Sequence, residues 1–161
     1  MQLNEPRTMD KRSDQFAVKL RQRWLKILVK SDVDRLESAW RQVPEKPEYR
    51  YLRRPETGMI MVQARTGGDG RRFNLGEMTI TRCMVKTEAG LIGCGHVRGG
   101  DHRHVELVAL FDALLQDARY RSILLKSVIS ELETDQKKQK ERISKKSAAT
   151  KVDFFTMVRG E

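Results

Sequence analysis

Residues Arg53 to Val85, R-R-P-E-T-G-M-I-M-V-Q-A-R-T-G-G-D-G-R-R-F-N-L-G-E-M-T-I-T-R-C-M-V, carry the strongest strand patterning and the densest Gly and Arg punctuation of the chain. From Gly58 to Arg65, Ile60, Val62 and Ala64 alternate with Met59, Met61, Gln63 and Arg65, and a period of two sends such sets to opposite faces of a sheet. Pro55 presets φ for the first corner of a turn and Gly58 is free to leave it at positive φ. Pro55-Glu56-Thr57-Gly58 is therefore expected to join this strand to a preceding one over Tyr49–Arg54. Thr66 to Arg72 holds three glycines and no apolar side chain, and reads as a loop into another strand, Phe73 to Lys86. There Met78, Ile80 and Met84 share the apolar face, opposite Glu77, Thr79, Thr81 and Cys83. Arg82 falls on the apolar side, where a guanidinium needs an anionic partner or a place at the edge of the buried patch.

Outward from this stretch, Thr87-Glu88-Ala89-Gly90 reads as a further turn and Leu91–Arg98 as a fourth strand. Gly93 and Gly95 interrupt it, which suggests a bulge or the close approach of another backbone. Asp101 is a strong N-cap for a helix whose Val105, Val108, Phe111 and Leu115, flanked by Leu107, Leu110 and Leu114, make an apolar surface too wide for a lone surface helix. That helix is expected to lie across the sheet and touch a second surface. Leu125, Val128, Ile129 and Leu132 resume the spacing after a polar interruption at Asp117–Ser122. Residues 131–151 have almost no apolar side chains and read as a charged helix or linker. The last stretch, with Val152, Phe154, Phe155, Met157, Val158 and Arg159, is an apolar tail expected to pack rather than stand in water, either back on its own sheet or, as the long spacer favours, on a partner. Toward the amino end, Ser13 or Asp14 would cap a helix striped by Phe16, Leu20, Trp24, Ile27 and Leu28. Ser31 and Asp32 would cap a short second helix through Val33, Leu36, Ala39 and Trp40, ended by Pro44 and Pro47. The expected architecture is α+β: an N-terminal helix pair, a four-stranded antiparallel meander, a long helix packed on the sheet, a charged helical linker and an extended tail. The boundaries are 1–12, 13–130, 131–151 and 152–161.

A chain of 161 residues suits one domain with a tail. The net charge of +10 divides as +4 over residues 1–50, +4 over 51–130 and +2 over 131–161, so the field favours anions in general without selecting one. Two helices followed by strands resemble a helix-turn-helix in outline, but the second helix offers mainly Arg35 and Arg41 to a base edge. A nucleic-acid-binding module stands as the alternative reading. The N-terminus lacks a signal-like apolar core and no later segment reaches a spanning length, so a cytoplasmic protein without membrane attachment is expected. Cys83 and Cys94, on adjacent strands without C-x-x-C spacing, read as two small core residues.

One cluster resembles catalytic or metal chemistry: His96 with Asp101-His102-Arg103-His104-Val105-Glu106, in which His102 and Glu106 stand one helical turn apart. Since His102, His104 and Glu106 do not share a face and Asp101 serves as a cap, a His/Glu metal hydrolase is the lesser alternative and no metal ligand is assigned. Gly67-Gly68-Asp69-Gly70-Arg71-Arg72 suits the cradling of an anion, yet it lacks the G-K-[ST] ending of a P-loop and opens a strand instead of a helix. Glu77 is the best-placed acid, with edge pairing to Arg82 or Arg72 as its ordinary explanation. No nucleophile–base pair is legible.

Taken together, P-E-T-G at 55–58, R-T-G-G-D-G at 65–70, F-N-L-G-E-M-T-I-T-R-C at 73–83 and V-D-F-F-T-M-V-R-G-E at 152–161 resemble the G subunit (PhnG) family of the bacterial carbon–phosphorus lyase system. The resemblance covers nearly the whole chain from Arg21 to Glu161. One departure is visible: Gly99-Gly100-Asp101 stands where the family usually has Gly-Arg-Asp, so no role of that arginine carries over. The resemblance implies a subunit that acts with the H, I and L subunits in phosphonate catabolism, displacing adenine from MgATP by a phosphonate to give a ribose 1-phosphonate 5-triphosphate. It also implies a core complex with H, I and J, with I in closest contact and L and K as functional partners. MgATP is then a substrate of the complex, no cofactor belongs to this chain alone, and no nucleic acid partner is expected. The chemistry needs a triphosphate clamp and stabilisation of an oxocarbenium-like C1′ while the purine is protonated. The chain offers arginines for the clamp but not the acid–base set. The I-like subunit is therefore expected to carry catalysis, this chain alone to be inactive, and Arg71, Arg72, Arg82, Gly67, Gly68, Gly70 and Glu77 to be the candidates for reaching its active site.

Overall fold

The computed structural model describes residues 11–149; the tail at 152–161 lies outside the described residues. Helix α1 spans Lys11–Leu28, so Ser13 and Asp14 stand inside a helix and do not cap it. Its stripe is buried only toward the C-terminal end, where Trp24, Ile27 and Leu28 are in the core while Phe16 is 70% exposed. Helix α2 spans Val33–Gln42 and begins as its sequence requires, with the Asp32 carboxylate accepting the Asp34 N–H at 3.0 Å. The Ser31 hydroxyl turns back to donate to the Ile27 carbonyl at 2.8 Å, serving the end of α1 and not the start of α2.

Among the described residues the sheet has three strands, not four. Strand β1 runs unbroken from Tyr49 to Arg65, through the residues expected to turn at Pro55–Gly58. Opposite it, β2 runs from Arg72 to Thr87. The register shifts between Arg53, which faces Met84, and Glu56, which faces Arg82. Arg54 and Pro55 thus stand against Cys83 alone, and a bulge of this kind absorbs a residue that has no N–H to give the ladder. A proline three positions before a glycine signals a break in pairing, and here a bulge supplies the break without reversing the chain. The second turn is as expected: Thr87 and Gly90 close it, with Gly90 at φ 83° and the Thr87 N–H donating to the Leu91 carbonyl at 3.0 Å. Strand β3, Ile92–Arg98, completes the antiparallel order β1-β2-β3.

The covered face of β2 is also the reverse of the one its apolar content indicates. Thr81, Cys83, Val85 and Thr87 are buried, while Met78, Ile80 and Met84 lie on the other side, with Arg82 exposed among them. What decides the matter is α3, His102–Gln116. A Cβ on Gly93 would stand 1.9 Å from the Ala109 carbonyl oxygen, and one on Gly95 would stand 2.4 Å from that of Val105. The helix lies flush on the sheet only where those glycines and the small side chains of β2 leave room. Every residue from Val105 to Leu115 is buried, because the side of α3 turned from the sheet is covered by α1, α2 and the C-terminal helices. The expectation of a helix touching two surfaces is met.

Asp101 caps α3, accepting the His104 N–H at 2.8 Å. Asp117 ends α3 and starts α4, Ala118–Leu124. A π-helical turn, Leu125–Ile129, then leads into α5, Ser130–Ala149. Leu124, Val128, Ile129 and Leu132 are buried, whereas every α5 side chain described beyond Gln136 is exposed. The charged stretch is thus a solvated helix as far as it is described. Among the described residues no helix is long and apolar enough to cross a membrane.

Candidate functional site

Strand β3 pairs with β2 only from Lys86 to Ile80. Beyond Ile80, β1 and β2 continue, alone among the described residues, as a ribbon of Met59–Arg65 against Arg72–Thr79. At ~3.3 Å per residue this arm projects roughly 25 Å past the body of the sheet. Its tip is the glycine loop. Gly67 and Gly68 adopt φ 61° and 94°, conformations open to glycine at little cost. The Gly70 N–H donates to the Thr66 carbonyl at 2.8 Å, that of Thr66 to Arg71 at 3.2 Å, and Arg65 Nη1 to the Gly70 carbonyl at 3.2 Å. A side chain at Gly70 would meet the Thr66 carbonyl at 2.5 Å. Arg71 and Arg72 extend from this closed loop, both exposed and with no ion pair among the described residues.

The candidate site residues therefore divide along one strand. Gly67, Gly68, Gly70, Arg71 and Arg72 are together at the tip. Arg82 lies ten positions on from Arg72, about 30 Å by strand geometry, where Arg82 Nε donates to Glu56 Oε1 at 2.6 Å and Arg53 Nη1 to the same oxygen at 2.7 Å. These arginines hold the exposed Glu56 carboxyl below the ordinary carboxylate range, the Arg82 hydrogen bond most of all. Glu77 sits midway on the arm, exposed, opposite Met61 and without an ion pair among the described residues. Its expected pairing with Arg82 or Arg72 is not formed. No single ligand of nucleotide size touches all three stations.

The histidine cluster has other employment. His102 Nε2 and Thr57 Oγ1 lie 3.0 Å apart, Thr57 and Thr81 share a 3.0 Å contact, and Thr81 donates to the Gly99 carbonyl at 2.6 Å. The chain of contacts ties the start of α3 to the root of the arm. His104 Nε2 stands 3.2 Å from the Leu28 carbonyl, holding α3 to α1. Glu106 receives the Tyr49 hydroxyl at 2.9 Å, the Tyr51 hydroxyl, and Arg103 Nη1 at 2.6 Å, while Arg103 Nε donates to Glu37 at 2.5 Å. Burial pushes the Glu106 carboxyl up, but the bonds from Tyr51, Arg103 and Tyr49 outweigh it, and it titrates below the ordinary range. Burial and then the Glu106 bond push the Tyr51 phenol well up, so it stays a neutral donor. Among the described residues no three His, Cys, Asp or Glu side chains gather as a metal cluster. Cys83 is buried and Cys94 half-buried, both as free thiols.

A second carboxylate escaped the reading of the sequence. Asp112 is fully buried within α3 and accepts Arg21 Nε at 3.1 Å, Arg21 Nη2 at 2.6 Å, Trp24 Nε1 at 2.9 Å and the Cys94 N–H at 2.9 Å. It joins α1, α3 and the outer edge of β3. The signal was present: one acid inside the run V-A-L-F-D-A-L-L has to find donors wherever the helix is buried. Like Glu106, it is saturated with partners and has no room to act as an acid or base.

Set against known proteins, residues 19–160 match the model of the family described as phosphonate metabolism protein PhnG. A relative from Rhizobium meliloti (strain 1021), named alpha-D-ribose 1-methylphosphonate 5-triphosphate synthase subunit PhnG, is 40% identical over 154 residues, covering 94% of this chain and 96% of its own length.

Proposed function

The chain belongs to the phosphonate metabolism protein PhnG family, and on that premise we propose that it is a non-autonomous subunit of a ribose 1-phosphonate 5-triphosphate synthase. With the H, I and L subunits it supports transfer of the triphosphoribosyl group of MgATP from adenine to a phosphonate. The C1′–N bond to the purine breaks, a C1′–oxygen bond to the phosphonate forms, and adenine leaves with a proton. The I-like subunit carries the acid–base work, since the carboxylates and histidines of this chain that lie near one another are committed to its own fold. Its core partners are H, I and J. The arm takes Arg71 and Arg72 to the triphosphate, where two guanidiniums on a closed glycine loop answer the charge of the polyanion.

The observation that carries this reading is the uncovered apolar surface. Leu52, Ile60 and Ile92 on the outer face of the sheet, with Met59, Met61, Phe73 and Leu75 along the arm, are 39–68% exposed. Met59 and Met61 alternate with Ile60, so the exposed apolar side chains lie on the outer face of the sheet and on both faces of the arm, and so much exposed apolar surface on a small chain marks surface completed by another protein.

The test is omission. All subunits are purified together and adenine release from MgATP and methylphosphonate is followed with and without this chain. Activity is expected only in the complete set, none from this chain alone, and a fall of about tenfold or more in the Arg71→Ala/Arg72→Ala complex with its assembly unchanged. Full activity in the set lacking this chain, or turnover by the chain alone, overturns the reading.

A further inference from the structure

The arm and the sheet leave one region of the molecule unused. Helices α1 and α5 flank a row of open clefts of about 400, 440 and 320 Å³ that share Lys30 and Gln136. Eight cations border it: Lys19, Arg23, Lys26, Lys30 and Arg35 from α1, α2 and the turn between them, and Lys138, Lys140 and Arg142 from α5. Among the described residues the side chains of six of them, all but Arg23 and Arg35, make no hydrogen bond or ion pair. The acids beside them are already taken: Glu133 binds Arg23 at 2.5 Å, Asp135 binds Arg35 at 3.0 Å, and Asp32 caps α2. The cleft therefore presents a net positive surface.

The spacing of these charges works against the helices that carry them. Lys138 and Arg142 stand four apart on α5, as do Lys26 and Lys30 across the end of α1, and like charges at that spacing cost a helix ~0.2–0.5 kcal/mol each. From Leu132 to Ile143 the α5 side of the cleft is about 17 Å long, close to three helical turns. Its floor is Ile27 and Leu132, and Ile143 at its far end is 57% exposed. Among the described residues no aromatic ring lines it, which removes the stacking platform that single-stranded nucleic acid uses. Lysines rimming an apolar strip fit instead an amphipathic helix with acids along its flanks.

We propose that the α1–α5 cleft receives an acidic amphipathic segment, about three helical turns long, from a partner subunit. The inference rests on the reading of the chain as a subunit, and charge complementarity selects the occupant. The complex purified from cells co-expressing all the subunits is treated with a zero-length carbodiimide, and cross-linked peptides are identified by mass. Cross-links are expected from Lys26, Lys30, Lys138 or Lys140 to Asp or Glu side chains of one segment of one partner. Lys138→Glu/Arg142→Glu, at exposed positions, is expected to leave the unfolding of the isolated chain unchanged and to weaken its binding of that partner by about tenfold, less at high salt. Unchanged affinity in that variant, or cross-links confined to the arm and sheet, overturns the proposal while leaving the subunit reading intact. A chain that co-purifies with no subunit overturns both. Binding of a labelled single-stranded DNA of about 20 nucleotides by the full chain, lost in the variant with no effect on assembly, assigns the cleft to nucleic acid and also overturns it.

Discussion

Asp112 is the residue on which the mutual placement of α1, α3 and β3 turns. Its two oxygens receive a guanidinium, an indole and a strand N–H that would otherwise be unpaired at the sheet edge. An amide has the same shape but places two N–H donors where donors already point. Asp112→Asn is therefore expected to destabilise the fold by about 1–3 kcal/mol, the range for buried donors that lose their acceptor, because the Arg21 side chain is 37% exposed and recovers water. Urea unfolding followed by Trp24 fluorescence measures it, and a loss under ~1 kcal/mol would mean that the edge is held by packing alone. Glu106 makes a different prediction, one about pH. Its carboxyl titrates lower in the folded chain than its ordinary 4.5, so the stability it contributes is fully present above that value and drains away as pH falls through the lower, folded value. The stability gap between the wild type and Glu106→Gln should thus be constant from pH 7 to about 6 and narrow steadily below about 4.5. A gap independent of pH down to about 3 would remove the charge from the account of Tyr49, Tyr51 and Arg103.

The contact between α3 and the sheet puts a number on the glycine argument. Because the Gly93 position meets the backbone of α3 at Ala109 and Ala113, and a backbone cannot yield as a side-chain end does, Gly93→Ala should cost about 1–3 kcal/mol or more. Gly58→Ala, with nothing within 4 Å of the added atom, should stay within ~0.5 kcal/mol. Equal losses in the two would show that strand entropy and not helix approach is what the glycine serves. This close approach was legible in the sequence as glycines inside a strand, and so were the Asp32 and Asp101 caps, the Thr87–Gly90 turn and the two-sided burial of α3. Two features were not. Pro55 and Gly58 have the chemistry of a turn, and only the pairing partner across the sheet decides that Pro55 enters a bulge while Gly58 pairs regularly with Ile80. The inner face of β2 was hidden for a related reason: Met78, Ile80 and Met84 are the more apolar set, but α3 covers the threonines, Cys83 and Val85. At the site, the glycine loop with its two arginines was readable from local composition. The separation of Arg82 from that loop follows only once β2 is a single extended strand, and Asp112 was concealed by the apolar run around it.

At the scale of the whole molecule, the arm is the part that the fold does not itself stabilise. Its root is held by Thr57, Thr81 and His102, but past Ile80 no third strand pairs with it among the described residues. A two-stranded ribbon in water is marginal at best, and this one exposes Met59 at 68% and Leu75 at 64%. Its order should therefore depend on what it meets. In the isolated full chain, amides of Met59–Arg65 and Arg72–Thr79 are expected to exchange far faster than those of the α3 core, and to become protected when the other subunits are present. Met59→Glu/Leu75→Glu sharpens the expectation, since both positions are exposed and a charge there leaves the isolated chain as stable as before, within ~0.5 kcal/mol each. In an interface the same charges lose their water without gaining a partner, and assembly should weaken by about 2 kcal/mol or more. Sedimentation of the co-expressed subunits reads the outcome. If the variant enters the complex in undiminished amount and its arm amides are protected to the same degree, the arm is not an interface, and the apolar face of the sheet alone must account for the incompleteness of the chain.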